Sequence, residues 1–389
     1  MPDDTPKLLY VVNIPRFFLS HRLPLALAAR HNGYVVHVAT SAQDRAAVAS
    51  ILEHDLRLHP IPLSQHGTNP LSDLRTIYAL ERLYARLKPD LIHHISIKPV
   101  LYGGIAARLT GQGAVIHAMS GLGYVFASAQ RRAVLLRQMT RPWFRAVTAS
   151  AHSRMIFQNA DDRHFFLEQG MISSDKALLI RGSGVDHHVF APRAEALDEL
   201  PVVLFAGRLL WQKGIAEFVE VARRLRGRAR FRVVGYEEAT SPLNVPADRL
   251  QAWADEGLIE WLGKRDDMPQ VYAGSNIVCL PSTYGEGVPK VLIEAAASGR
   301  ACVTTDTPGC REIVRHGQNG LAVPPGDIDA LAAAVDRLIR EPALRQAMGA
   351  AGRQIVLERF TLRQVIAETL ELYQELLNAA GKTSTGSAQ

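Results

Sequence analysis

Ser282-Thr-Tyr-Gly-Glu-Gly-Val-Pro-Lys-Val-Leu-Ile-Glu-Ala-Ala-Ala-Ser-Gly299 is the stretch from which the rest of the chain is read. It follows an apolar run, Asn276-Ile-Val-Cys-Leu280, with the look of a buried parallel strand. It then passes through a glycine-flanked loop into a helix whose first turn can hold Pro289. A helix start reached in this way offers unpaired backbone N–H groups and the positive end of the helix dipole, which together suit a phosphate. Two carboxylates frame that start. Glu286 stands in the loop, and Glu294 lies roughly 7.5 Å along the helix axis from Pro289 at the usual rise per residue. That separation fits two hydroxyl-bearing rings on either side of a diphosphate. An arbitrary helical Glu faces solvent, but Glu294 sits among Val291, Leu292, Ile293, Ala295, Ala296 and Ala297. A helix apolar all round is usually buried, and a buried carboxylate needs partners such as ligand hydroxyls.

Glu286 and Glu294, set in Gly-Glu-Gly-Val-Pro-Lys-Val-Leu-Ile-Glu-Ala, resemble the E-x7-E segment of the retaining nucleotide-sugar glycosyltransferases called family 4. The resemblance implies a GT-B fold: two facing Rossmann-like, doubly wound parallel-sheet α/β domains, with a C-terminal helix that crosses back to the first. It implies that Glu286 contacts the donor sugar, that Gly287, Val288, Pro289 and Lys290 meet sugar and phosphate, and that Glu294 holds the ribose hydroxyls. The expected division is an acceptor-binding domain over 1–190, a donor-binding domain over 191–360, the crossing helix at 361–380 and a disordered tail at 381–389.

With 389 residues, 47% hydrophobic and 21% charged, the chain is long enough for two separate cores and is not of disordered composition. Cys279, Cys302 and Cys310 lack metal-ligand spacing, and two of them fall in or beside apolar runs, as core thiols of a reducing compartment do. No signal-like apolar region opens the sequence and no stretch approaches 18 apolar residues, so a cytoplasmic protein is expected. Charge is uneven. Residues 1–186 hold 21 Lys+Arg against 13 Asp+Glu, whereas the remainder holds 23 against 25. No acid stands between Asp90 and Asp161, while Lys98, Arg108, Arg131, Arg132, Arg137, Arg141, Arg145 and Arg154 do, which favours anionic partners. Arg131, Arg132 and Arg137, interleaved with Leu135, Leu136, Trp143 and Phe144, have the composition of a helix lying on an anionic membrane face. An ordinary domain helix with a solvated basic edge fits equally well, and Pro142 would interrupt it.

Taken in order, Leu8 to Ile14 reads as a first strand, Pro15 to Arg22 as the loop after it, and strand and helix alternate to a strand at Asp90 to Ile95. Such alternation implies a doubly wound sheet with ligands beyond the carboxyl ends of its strands, so loops at Pro15 to Arg22, Ser96 to Tyr102 and Ser120 to Tyr124 should converge. The first loop lacks G-x-G-x-x-G, which weighs against a dinucleotide oxidoreductase. Phe-Phe-Leu-Ser-His-Arg, Ile-Lys-Pro-Val-Leu-Tyr-Gly and Ser-Gly-Leu-Gly-Tyr resemble a subgroup that extends polyprenyl-diphosphate-linked sugars. By that resemblance His21, Arg22, Lys98, Ser120 and Gly121 are expected on the acceptor side. Many relatives carry His where Ser120 stands; His117 precedes it and reads as a core or supporting residue.

The second domain opens with Val202 to Ala206 and Gly207-Arg-Leu-Leu-Trp-Gln-Lys-Gly214. Arg208 and Lys213 leave a strand-to-helix turn, a plausible diphosphate clamp in which the Arg fork grips two oxygens and Lys adds a point charge. Family likeness places the nucleobase against Gly263, Lys264 and Arg265.

The resulting expectation is a retaining transferase, with Glu286, Arg208 and Lys213 as its catalytic residues. It would move a hexose or N-acetylhexosamine from a UDP-sugar to a polyprenyl-diphosphate-linked saccharide in surface polysaccharide synthesis. It would need no metal or other cofactor, bind no nucleic acid, and sit peripherally on the inner face of the cytoplasmic membrane. A sugar-nucleotide epimerase of related fold and a non-catalytic sugar-nucleotide binding protein are the alternatives.

Overall fold

Thirteen strands among the described residues are all short and paired in parallel, most of them apolar, and they form two sheets. The computed structural model describes residues 5–63, 69–121, 140–195, 199–237 and 241–382. The first sheet holds β1 (Lys7–Val12), β2 (Val35–Thr40), β3 (Arg57–Pro60), β4 (Leu91–Ile95), β5 (Ala114–Met119), β6 (Ser153–Phe157) and β7 (Ala177–Leu179), in the order β3-β2-β1-β4-β5-β6-β7. The second holds β8 (Val202–Arg208), β9 (Arg230–Tyr236), β10 (Glu260–Trp261), β11 (Ile277–Leu280), β12 (Ala301–Thr305) and β13 (Gly320–Val323), in the order β10-β9-β8-β11-β12-β13.

Alternate residues of β1 show why both faces must be covered: Leu8, Tyr10 and Val12 enter one apolar cluster, Leu9 and Val11 another. A strand apolar on both faces is stable only between two helical layers, the doubly wound arrangement. Strand order reverses between β1 and β4 in one sheet and between β8 and β11 in the other. A crevice therefore opens beyond the carboxyl ends at each of those points.

The chain divides into Met1–Ser183 with Val365–Gln389, and Gly184–Gln364. The first division falls ahead of the expected 190/191 because Val185 pairs with Thr361 and packs in the second core. The chain that enters the second unit is docked onto that unit's own body. Glu195 receives Nε and Nη2 of Arg345 at 2.9 and 2.7 Å, and Arg353 donates to the carbonyls of His187 and Phe190. In the first unit Val365, Leu372, Tyr373, Leu376 and Leu377 of the final helix, Leu362–Ala379, complete the cluster on one sheet face. Gly381 and Lys382, assigned above to a disordered tail, close that helix: Lys382 N donates to Leu377 O and its ammonium lies 2.6 Å from Asp90. Residues 383–389 fall outside the described residues.

Pro15 to Arg22 is not a loop: Pro15–His21 is a helix entered directly from β1, with Pro15 in its first turn and Phe18 fully buried. After β4, Ser96 takes a left-handed φ of 77°, and Pro99–Gly103 already forms a helical turn leading into Gly104–Leu109. Pro289 caps the helix Lys290–Ala297 from outside its first turn. Pro142 stands in the first described turn of the helical run 140–147, and residues 122–139 before it fall outside the described residues.

Candidate functional site

At the crevice of the second sheet two loops are tied together by backbone geometry. Arg208 ends β8; the chain then makes a 3-10 turn, Trp211–Lys213, before the helix Ile215–Arg224. Gly214, with φ 82°, permits this: a Cβ there would lie 2.0 Å from the carbonyl oxygen of Pro281 on the neighbouring loop. Across that contact Thr283 N donates to Gln212 O at 3.0 Å and Thr283 Oγ1 to the same oxygen at 3.2 Å. The far side of the β11 loop is braced by Gly309, where a Cβ would fall 1.4 Å from Gly287 O, and by Glu286 N donating to Pro308 O at 3.4 Å. The Pro281–Gly287 segment is thus held between two glycines where no other residue fits.

This packing brings Lys213 to Glu286. Lys213 Nζ pairs with Oε2 of Glu286, Ser282 Oγ donates to Oε1 at 2.8 Å, and both charged side chains are 10% exposed. Burial alone would lower the lysine's pKa, but Glu286 and Tyr284 more than offset it, so the ammonium is held charged above its ordinary value. Arg208 is a further close charge to Lys213 and to Tyr284.

Glu294, only 8% exposed, is buried as its apolar neighbours require. It accepts from the Tyr272 hydroxyl at 2.9 Å, and Lys290, one turn before it, lies 3.5 Å away. Burial raises its carboxyl pKa, opposed by Lys290 and Tyr272. Gly263 belongs to the same carboxyl edge: Gly235 N donates to its carbonyl at 3.0 Å, and the Gly235 backbone packs against Gly207 O. Lys264 and Arg265 pair instead with Asp266 and Asp267 at the surface. Tyr272, Tyr284 and Ser282 were not singled out from the sequence; Tyr284 and Ser282 lie in its opening stretch, but nothing local marks a hydroxyl or ring as pointing at a charge.

In the first unit, Ser96 Oγ and Ser120 Oγ meet at 3.2 Å where β4 and β5 end, and Gly121 follows with φ 107°. His21 stacks on Phe17 at 4.2 Å and contacts Ser20 Oγ through Nδ1. Lys98 is half-buried; burial lowers its pKa against the pull of Asp73. Arg22 is turned inward, 5% exposed, among Tyr10, His93 and Tyr373, which are themselves linked by Tyr10 Oη to Tyr373 Oη at 3.0 Å and His93 Nδ1 to Tyr373 Oη at 2.6 Å. It packs under the final helix, beside Tyr373. His117 is a core residue, fully buried, its Nδ1 3.2 Å from that of His94.

The basic stretch is corrected at one residue. Phe144 is fully buried against Phe166, ring centroids 4.9 Å apart, and cannot enter a membrane; Trp143 is 54% exposed. Arg145 Nε donates to Gly170 O at 2.5 Å. Arg131, Arg132 and Arg137 lie outside the described residues. Among the described residues no group of three or more His, Cys, Asp or Glu is set to hold a metal ion, and no helix is long and apolar enough to cross a membrane.

Comparison with known proteins gives two family models, one over each unit. Residues 200–341 match the model described as glycosyl transferases group 1, and residues 7–155 match glycosyl transferase 4-like. Among curated proteins, the chain is 25% identical over 348 residues to the N,N'-diacetylbacillosaminyl-diphospho-undecaprenol alpha-1,3-N-acetylgalactosaminyltransferase of Campylobacter jejuni, covering 84% of this chain and 90% of that one. It is 24% identical over 350 residues to the UDP-Gal:alpha-D-GlcNAc-diphosphoundecaprenol alpha-1,3-galactosyltransferase of Escherichia coli, covering 86% and 88%. Among solved structures, sucrose-phosphate synthase from Thermosynechococcus elongatus aligns with a TM-score of 0.79 at 22% identity, over 96% of this chain and 100% of that one. Anabaena HepE in complex with UDP aligns with a TM-score of 0.74 at 17% identity, over 95% and 100%.

Proposed function

From the premise that the chain belongs to the family 4 glycosyltransferases, enzymes of GT-B fold, we propose that it transfers a sugar from a UDP-sugar to a polyprenyl-diphosphate-linked saccharide, with retention at the anomeric carbon. The observation that carries the reading is the crevice of the second sheet. There Arg208, Lys213 and the start of the Lys290–Ala297 helix supply positive charge, while the carboxylates of Glu286 and Glu294 stand ready for hydroxyls. The relatives from Campylobacter and Escherichia, whose names specify diphospho-undecaprenol acceptors, support the acceptor class.

In this reading the nucleotide ribose lies on Glu294, the diphosphate on Lys213, Arg208 and the helix N-terminus, and the sugar on Glu286. As the bond from C1 to the diphosphate oxygen breaks, negative charge grows on the leaving group. Preorganised cations in a partly buried site stabilise it without a metal ion. The acceptor oxygen bonds to C1 on the same face, and its proton passes to the departing phosphate oxygen. EDTA should therefore leave the rate intact. The first unit, with its basic excess, is assigned to the acceptor and to peripheral docking on an anionic membrane surface, where each basic side chain is worth about 1 kcal/mol.

The test incubates the purified protein with a panel of labelled UDP-sugars and a polyprenyl-diphosphate-linked sugar. Transfer with retained anomeric configuration is expected. An epimerised nucleotide without transfer, or nucleotide binding without turnover, would install one of the alternatives. Sedimentation with vesicles containing or lacking anionic lipid tests the docking. Arg131→Gln, Arg132→Gln and Arg137→Gln together should cut anionic-vesicle binding, and equal binding to both vesicle types would refute it.

A further inference from the structure

Lys213 faces two partners. One is Glu286; the other is Tyr284, whose hydroxyl is within hydrogen-bonding reach of the ammonium and whose ring centroid lies 5.7 Å from Nζ. Tyr284 sits in the segment pinned to Gln212 through Thr283, so its position relative to Lys213 is fixed by the same contacts that fix the two loops. Arg208 is close enough to both to repel the lysine and to favour negative charge on the Tyr284 hydroxyl.

The Lys213–Glu286 pair cannot persist when both residues serve a donor. In the reading above the ammonium is needed by the diphosphate and the carboxylate by the sugar, so binding must part them. A buried ammonium that loses its carboxylate, with an arginine nearby, needs something to hold it in line. An aromatic face does this at a constant distance and without competing for the phosphate oxygens, since it offers a negative quadrupole and no full charge. Resting on that reading of the donor site, we propose that Tyr284 is a positioning residue for Lys213: its ring keeps the ammonium aimed at the diphosphate after Glu286 turns to the sugar.

The test is a double-mutant cycle on UDP affinity by calorimetry, with melting temperature recorded for every variant. Tyr284→Phe, which keeps the ring, should bind UDP within about twofold of wild type. Tyr284→Leu should weaken UDP roughly five- to thirty-fold, the range of a cation over an aromatic face from exposed to desolvated. In a Lys213→Ala background, Tyr284→Leu should cost nothing further. A loss from Tyr284→Leu that is as large without Lys213 as with it would mean the ring only packs the loop, and would overturn the proposal. So would a Phe variant as impaired as Leu. If Tyr284→Leu fails to fold, Tyr284→Met carries the same two comparisons. A wild type that binds no UDP, or a Lys213→Ala variant that binds it unchanged, would instead sink the donor-site reading itself.

Discussion

Replacing Glu294 by Gln separates the cost of a buried charge from its use. Gln keeps the volume and an oxygen to accept from Tyr272, 2.9 Å away, but removes the charge. If the carboxylate holds ribose hydroxyls, a charge-assisted acceptor is lost. That is worth about 1.5 to 3 kcal/mol, or roughly ten- to a hundred-fold in UDP affinity. Stability should move the other way. Burial raises the Glu294 carboxyl above its ordinary 4.5, opposed by Lys290 and Tyr272. The folded state therefore binds this proton more tightly than the unfolded chain, and stability falls as pH rises through the window above 4.5. At neutral pH the wild type bears that penalty and the Gln variant does not. Lys290 loses its ion pair with Glu294, but its side chain is 30% exposed and open to water. Calorimetry should show UDP binding by the wild type weakening as pH drops toward the raised carboxyl value, with this limb absent in Glu294→Gln. Thermal unfolding at pH 7 should place the variant at or above wild type. Unchanged UDP affinity would remove Glu294 from the nucleotide site, and a fall in both affinity and melting temperature would show that packing, not ribose, was lost.

Arg208→Ala and Lys213→Ala should each lower kcat by about 10² to 10³ in a transfer assay, as loss of one preorganised donor does; turnover unchanged in both removes them from the chemistry. Glu286→Gln should weaken a UDP-sugar but hold or tighten UDP alone, because it frees the Lys213 ammonium; equal losses for both ligands by calorimetry would reverse the roles given to the two carboxylates. His93, His94 and His117 are fully buried, and burial holds them below the ordinary 6.5, His117 at about 4. The unfolded chain takes up their protons first, so stability is lost as pH falls from 6.5; His117 alone accounts for about 2 kcal/mol at pH 5, and a urea midpoint that is the same at pH 7 and 5 would contradict this. Phe144→Ala should cost about 3 to 5 kcal/mol and Trp143→Ala within about 0.5 kcal/mol, read by denaturant unfolding; similar costs would mean that the two rings share one environment.

The parallel sheets were legible because strands buried on both faces are written as unbroken apolar runs, as at Leu8 to Val12 and Ile277 to Leu280. Burial of Glu294 was legible for the same reason: its neighbours leave it no polar face. Pro15–His21 was misread because a strand that ends at the ligand edge was expected to open into a loop, although Pro15 is itself a helix-start signal. Phe144 was grouped with Trp143 by composition, whereas adjacent helical residues point about 100° apart, one inward and one out. The Lys213–Glu286 pair joins residues 73 positions apart, and Tyr272 reaches Glu294 across 22. Such contacts are set by strand order and by Gly214 and Gly309, which no local pattern encodes.

The second unit is spliced into the first, and its entry and exit run side by side: Val185 N donates to Phe360 O and Leu362 N to Val185 O. On the ribosome this inverts the order in which the units are finished. The sheet made first waits with Tyr10 and His93 uncovered through the synthesis of everything from Gly184 to Gln364, and only then does Tyr373 arrive to cap them. The unit encoded second can close its own core before the one encoded first, so a chain stopped short of the last helix would carry a finished second unit and an open first one.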